Sequence, residues 1–393
     1  VSRRVGLGIS IVWIPLAFLF DGMTALVLPV RLGGDTAAAT RIGLISFAGL
    51  ALATLVQPFA GHLSDVVRSR IDRRAFISLA ALPAILGLWL LAGPTTAPVA
   101  ALGYVTVQLS ASAAQAAQQA LIPERVSERF RGRAAGLKSA FDVGGAFLAF
   151  AVLGTLLASG DALPAAAVTT LILVAALVAM WAFVPARTER SPAPAPTPQS
   201  AGLPAGFVPL IAARFLFLFG IYAVGRFLLL LVAERLAIPT ERAADETGGL
   251  LALFTLTAAA AAIPFGTAAD RLGRERTMAL GVGLAVAGIA AFVPPAGAVG
   301  VIVAGLLMSL GSAAFVSANW AATTDLTTPA TAGRLMGIAN IGTGGAAAFA
   351  GLLGPVVDGG GFVPALLIAA AVAALAGIPL ARSSSRTIVQ EAA

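Results

Sequence analysis

From Val168 to Val184 the chain reads "VTTLILVAALVAMWAFV", without a charge and without a face that water could solvate. A bilayer core asks for about 20 apolar residues per helix, and runs of this kind recur along the whole sequence. Cutting at the polar and Pro/Gly-rich breaks leaves twelve spans. The first six are 6–30, 40–62, 75–93, 98–120, 135–158 and 163–184. The second six are 207–233, 247–269, 277–294, 298–322, 334–356 and 361–381. The residues AVILMFWYC make up 59% of the 393 and charged residues 11%, whereas a soluble domain carries about a quarter charged residues. A water-soluble fold of this length could not hide so much apolar side chain, so lipid must solvate much of it. The sequence predicts an all-α membrane protein of twelve transmembrane helices, with six-helix halves at 1–184 and 207–393. Between them "PARTERSPAPAPTPQSAGLPAG" (185–206), rich in Pro, Ala and Ser, reads as an extended cytoplasmic linker. The first run lacks a small-residue cleavage signature and reads as a retained helix.

The chain has no cysteine and one histidine, His62. Disulfides, thiolate metal sites and cysteine nucleophiles are thereby excluded, and a histidine-based metal site or a Ser-His-Asp triad has no basis. His62 adjoins a charged loop and reads as a solvated interfacial residue. The Gly342–Gly345 stretch lies in an apolar helix without a Walker pattern and suits close helix packing or a flexible gate. Neither an enzyme nor a cofactor is expected. A net charge of +7 suggests nucleic acid until the charges are placed. With the N-terminus inside, the inner side receives all 25 Lys and Arg except Arg31, Arg41, Arg235, Arg242 and the intramembrane Arg226. That asymmetry is the positive-inside pattern. It predicts a protein of the inner (cytoplasmic) membrane with both termini cytoplasmic and no nucleic-acid partner; the chain is expected to be a monomer.

The sequence also repeats itself. Gly61 and Asp65 of "GHLSDVVRSRIDRR" match Gly266 and Asp270 of "GTAADRLGRERT", and "RGRAAGLKSAFDVGG" (131–145) aligns with "AGRLMGIANIGTGG" (332–345). Two six-helix halves in the same orientation are parallel repeats, which place a central site near the bilayer midplane. Six plus six helices, a central linker and a Gly-x-x-x-Asp basic loop after helices two and eight resemble the major facilitator superfamily over nearly the whole chain. The first loop departs from that pattern, with Val66 where Arg is usual and Asp72 where Gly is usual. Its "SDVVRSRIDRRAFI" (64–77) is similar to the glycoside–pentoside–hexuronide cation symporters.

The resemblance implies a gating latch built from Gly61, Asp65, Arg73, Arg74 and Arg133 in one half and Gly266, Asp270, Arg271, Arg274 and Arg334 in the other. Asp65 would dock on the start of helix eleven and Asp270 on the start of helix five, where helix N-termini carry partial positive charge. The plainer reading is that these charges only fix topology.

Ionisable groups at membrane depth are costly and default to function. Asp21, in "LAFLFDGMTALVLP", and Arg226, in "YAVGRFLLLL", lie at comparable depths of helices one and seven when Arg31 is aligned with Arg235. They could pair as a gate or a structural salt bridge. Alternatively Asp21 could carry a coupling proton and Arg226 an anionic substrate group. On helix four Tyr104, Gln108, Ser112, Gln115 and Gln119 fall on one face; Ser312, Asn319 and Thr323 answer on helix ten, and Tyr222 on helix seven completes the candidate lining. Amides and hydroxyls suit a hydroxylated solute or, equally, hydrogen bonding between helices. Trp320 reads as a ring platform or an interface anchor. Lys138 and Asp142, four apart, neutralise each other. The resemblance implies a secondary active transporter working by alternating access, with a proton or other cation as coupling ion, and these residues are the candidate lining of a cavity between helices one, four, seven and ten. The amides and hydroxyls suit a small polar organic solute, sugar-like in character. A drug or metabolite exporter and a non-transporting sensor or assembly factor are the alternatives.

Overall fold

The computed structural model describes residues 3–33, 37–67, 70–126, 128–185, 202–295, 297–327 and 332–380. Every regular element among them is helical. In chain order these are α1 (Arg4–Leu32), α2 (Ala38–Val67), α3 (Arg73–Ala92), α4 (Ala97–Arg125), α5 (Glu128–Leu157) and α6 (Leu163–Phe183). They continue as α7 (Phe207–Leu236), α8 (Thr240–Leu272), α9 (Arg274–Ala291), α10 (Gly297–Asp325), α11 (Leu335–Gly360) and α12 (Phe362–Leu380). Eleven of these are long and apolar enough to cross a membrane; α9, with 18 residues, opens on the charged "RERT" and falls outside that criterion. Phe59 and Ile263 are 74% and 79% exposed, a placement that water penalises and lipid accepts. The chain is a multi-pass membrane protein.

The helices follow local chemistry. Pro98 and Pro164 sit in the first turns of α4 and α6, where a missing N–H is harmless. Pro58, Pro83 and Pro264 are accommodated within α2, α3 and α8. α2 and α8 run several residues past the expected 40–62 and 247–269. The added "TERAADE" of α8 is rich in the good helix formers Glu, Arg and Ala, which stay helical beyond a bilayer core. α1 is not uniform: Phe18–Val27 is π-helical and holds Asp21.

Two compact units divide the chain. The first comprises Val1–Ala38, Ala48–Ala195 and Ile238–Ala252; the second comprises Ala39–Phe47, Pro196–Ala237 and Leu253–Ala393. α2 and α8 thus each contribute to both.

In the first unit α3 and α4 cross at Gly87 and Gly103. A Cβ on Gly103 would stand 2.6 Å from the Gly87 carbonyl oxygen. In the second unit α9 and α10 cross in the same way at Gly281 and Gly311, where a Cβ on Gly281 would stand 2.6 Å from the Phe315 nitrogen. Backbone on both sides cannot yield, so Gly103→Val is expected to destabilise the protein by about 3 kcal/mol, the upper range for overpacking. Thermal unfolding in detergent measures it, with Gly283→Ala, where an added Cβ meets open space, as the silent control.

Another pair repeats between the units. Arg31 Nε donates to the Leu91 carbonyl at 3.0 Å and its Nη2 to Gly93, at the end of α3. Arg235 Nη2 donates to the Phe292 and Val293 carbonyls at 3.3 and 3.0 Å, at the end of α9. Orphan carbonyls and the negative helix end draw a cation to each place. These two arginines, exceptions to the inner-side charge pattern, are therefore accounted for as helix caps.

At helix ends remote from the Gly-x-x-x-Asp loops, each unit holds a close approach. In the first, Gly154 of α5 meets Gly248 of α8, and Thr155 Oγ1 donates to Asp245 at 3.0 Å. In the second, Gly43 of α2 meets Gly351 of α11 with no room for a methyl group. There the Asp358 carboxylate accepts from the N–H groups of Ala39 and Thr40 at 3.2 and 2.6 Å.

Candidate functional site

The Gly-x-x-x-Asp loops fold into two related ion-pair clusters. In the first unit Arg73, only 3% exposed, donates through Nη2 to Asp65 at 2.6 Å and to Glu124 at 2.7 Å. Its Nη1 reaches Ser64 at 3.0 Å. In the second unit Arg274 bonds Asp270 and, through Nε, Asp325 at 3.4 Å. Each expected latch carboxylate is thus held by the arginine that opens the next helix of its own unit. Glu124 and Asp325, at the ends of α4 and α10, were not read from the sequence. They stand as far apart as Arg73 and Arg274 do, so a repeat alignment anchored on those arginines finds them.

Arg74 serves the fold around α3. Asp72 is the N-cap of that helix: its carboxylate accepts from the Arg74 backbone N–H at 3.0 Å and from the Arg74 guanidinium at 3.1 and 2.9 Å. Arg74 Nη1 then donates to the Val184 carbonyl at 2.6 Å, and its guanidinium lies 4.4 Å over the Trp181 ring. The departure from Gly at position 72 is explained by this cap. The counterpart Gly273 has φ +95°, a backbone that only glycine adopts readily, and no capping side chain. Burial pushes the Asp72 carboxyl up, but hydrogen bonds from Arg74 and the charges of Arg74 and Arg125 outweigh it and hold the group below its ordinary 3.8. A depressed carboxyl stabilises the fold above that ordinary value, and the contribution fades as pH falls below it towards the folded value. Asp72→Ala is expected to cost about 1 kcal/mol at neutral pH, the usual worth of an N-cap. Melting curves at pH 7 and pH 3.5 check it, the difference from wild type narrowing at the lower pH.

The remaining latch positions are spread more loosely. A Cβ added at Gly61 would stand 3.9 Å from Ala116 of α4, an ordinary contact, while one added at Gly266 meets nothing. Arg133 and Arg271 are exposed. The backbone of Arg334 is helical and its side chain lies outside the described residues. His62 is exposed at the loop.

In the interior of the first unit the polar face of α4 meets α1 at its π-helical stretch. Tyr104 and Gln108 are fully buried. Tyr104 Oη and Thr24 Oγ1 lie 2.9 Å apart, and Gln108 Nε2 donates to Thr24 Oγ1 and to the Leu19 carbonyl, both at 3.2 Å. Gln108 Oε1 is buried with no hydrogen-bond partner. Ser112 is buried, Gln119 is exposed, and Gln115 accepts from Gln57 of α2 at 2.9 Å. Gln118, off the predicted face, donates to the Ile9 carbonyl. Asp21 is exposed, while Phe18, Leu19, Gly22 and Met23 around it are buried. A π-helical turn is a frequent companion of function. Lys138 pairs with Asp142 at 2.9 Å as expected, and its Nζ also sits 3.6 Å over the Trp13 ring.

The second unit uses its polar residues differently. Asn319 is buried; its Oδ1 accepts from Arg214 Nε at 2.6 Å and its Nδ2 donates to the Leu210 carbonyl at 3.1 Å. Thr323 is buried and bonds back to the Asn319 carbonyl at 2.7 Å, Ser312 and Tyr222 are half-buried, and the buried Arg226 donates to the Ala347 carbonyl at 2.9 Å. Trp320 carries the Arg214 guanidinium 4.2 Å over its ring. Arg214 is the main correction here. Counted by sequence among inner-side charges, it is a buried residue of α7, only 3% exposed. Gly342 and Gly345 lie against Ile211 and Phe215 of α7, the close packing expected of them.

Residues 14–244 and 211–388 match the model of the Major Facilitator Superfamily. No curated protein sequence gives a match. Among solved structures, the peptide transporter POT superposes with a TM-score of 0.76 at 15% identity, over 97% of this chain and 94% of that one. The nucleoside transporter NupG gives 0.71 at 13% identity, over 97% and 99%. The D-xylose-proton symporter gives 0.72 at 16% identity, over 96% and 95%. At such identities the likeness is one of fold, and it agrees with the helices described above. Since the matched segments run through most of its length, the chain belongs to the Major Facilitator Superfamily, a family of transporters and not of enzymes.

Proposed function

We propose that the protein is a secondary active transporter of the inner membrane, monomeric, with both termini cytoplasmic. It moves a small polar organic solute of sugar-like character by alternating access, coupled to protons. The observation that carries this reading is the hydroxyl–amide cluster that Tyr104 and Gln108 of α4 form with Thr24, on the π-helical stretch that also bears Asp21. Neutral donors and acceptors hydrogen-bond a hydroxylated solute without demanding a charge on it, and an acid on the same segment supplies a group that can take up a proton. The two ion-pair clusters support a gating role: Arg73 and Arg274 hold the Asp65 and Asp270 carboxylates in fixed positions, from which they dock on helix starts and release. The six-helix halves 1–184 and 207–393 are the bodies that such a cycle moves.

The test is solute uptake into proteoliposomes with an imposed pH gradient. The panel includes D-xylose, a nucleoside and a dipeptide, the classes that the structural relatives are named for. Accumulation of a polar solute that collapses with the gradient supports the reading. Proton-driven movement of lipophilic cations alone would assign the protein to the exporters instead, and a protein that moves none of the panel while binding a partner would speak for the non-transporting class.

A further inference from the structure

Arg214 lies about 10 Å along α7 from Phe207 at 1.5 Å per residue, inside a span and 3% exposed. Its Nε donates to Asn319 at 2.6 Å, and the flat of its guanidinium covers Trp320 at 4.2 Å. Its Nη1 and Nη2 are buried without a hydrogen-bond partner, and among the described residues no carboxylate pairs with it. Buried donors left unmade are costly, and a buried cation more so. Asn319 does not relieve this: its Oδ1 accepts from Nε and not from Nη1 or Nη2, and its Nδ2, itself a donor, is turned to the Leu210 carbonyl. The repeat gives no structural reason for the charge either: the alignment of Arg31 with Arg235 puts Ser10, small and neutral, at the matching place.

We infer that Arg214 is the anchor of an anion site, taking a carboxylate or phosphate group on the Nη1–Nη2 edge of its guanidinium. That edge is a two-donor fork of the geometry that both groups accept bidentately. Asn319 fixes the opposite edge and Trp320 fixes the plane, so the fork is pre-oriented before any ligand arrives. Trp320, which covers the guanidinium face, is itself 38% exposed, so the fork lies one side chain away from the surface of the fold. The site is independent of the transport reading, because binding is measured at equilibrium without uptake.

The test uses the full chain in phosphatidylcholine nanodiscs, titrated with inorganic phosphate and with acetate, against sodium chloride at matched ionic strength. Thermal unfolding and tryptophan emission are read together. Wild type is expected to gain stability from at least one of the two anions with a change in emission. Arg214→Gln should bind about tenfold more weakly or worse, the scale of losing a charge-assisted bidentate contact. Trp320→Phe should abolish the emission change and keep the thermal response. A parallel arm in phosphatidylglycerol nanodiscs separates the sources: stabilisation by that lipid, lost in Arg214→Gln, assigns the site to a headgroup, and stabilisation by soluble anions assigns it to a solute. No stabilisation of wild type beyond chloride in either arm overturns the site, as does an equal response in Arg214→Gln. If Arg214→Gln does not fold, Arg214→Lys decides, since it keeps the charge and loses the fork; unchanged affinity there rejects the assignment.

Discussion

Asp21→Asn is expected to end uphill accumulation while leaving solute exchange across the membrane intact. Each pH unit across the bilayer is worth about 1.4 kcal/mol, a factor of ten in concentration, so a gradient of about two units can sustain roughly hundredfold accumulation with one proton per solute. If Asp21 carries that proton, its amide analogue holds the site in one charge state and the inside-to-outside ratio falls to one. Equilibrium exchange of labelled solute needs no net proton movement and continues. Both quantities come from one preparation: the ratio under an imposed gradient, and the exchange rate without one. An accumulation ratio in Asp21→Asn equal to that of wild type would remove Asp21 from the coupling role. Loss of exchange as well would make Asp21 a binding residue instead. The choice of Asp21 rests on its place: an exposed acid on the π-helical stretch whose neighbours are buried against the rest of the unit.

Arg73→Met is expected to destabilise the protein by about 3 kcal/mol, whereas Arg274→Met should cost roughly 1 kcal/mol or less. The two arginines have equivalent places, and the main difference between them is burial, to which Arg73 adds a bond to Ser64. Arg73 is 3% exposed and Glu124 18%, so removal of the cation leaves a carboxylate largely cut off from water; Asp65, at 52%, is re-solvated and adds little. Arg274 is 30% exposed, and its partners Asp270 and Asp325 are 66% and 60% exposed. Water and salt screen that cluster, and both carboxylates keep their hydration when the arginine goes. Unfolding in detergent at low and moderate salt tests both variants, the Arg274→Met effect shrinking further as salt rises. Equal losses in the two variants would contradict the account.

Much of the fold was legible because hydropathy is a property of the chain and not of its neighbours. Each run of about 20 apolar residues has one stable answer in lipid. Boundaries were less visible where the helix continues into water, as at "TERAADE" in α8, since charged helix formers look like loop to a hydropathy reading. The π-helical turn of α1 was invisible for a different reason. A change from i→i+4 to i→i+5 bonding alters no residue type, and Pro15 and Pro29 at its flanks gave no register. The polar face of α4 was legible as periodicity, but periodicity names a face and not a partner. Gln108 meets the backbone of Leu19, and Gln118 serves α1 from a neighbouring row. Asp72 was visible as a departure from a family pattern, and only the N-cap geometry gave it a meaning. Arg214 was misplaced because an arginine near the start of a span normally reaches back to the interface; burial against Asn319 and Trp320 is information that no linear reading holds.

The bond from the amides of Ala39 and Thr40 to Asp358 has a practical use, because nature left this polypeptide free of thiols. Cysteines introduced at Thr40 and Asp358 are the sole pair in the molecule, so an oxidant or a short bifunctional maleimide welds α2 to α11 there and nowhere else. A reductant undoes the oxidised weld. Flux recorded before and after reduction turns one static hydrogen-bond pair into a redox-operated brake, and tells directly whether that junction must part during each turnover.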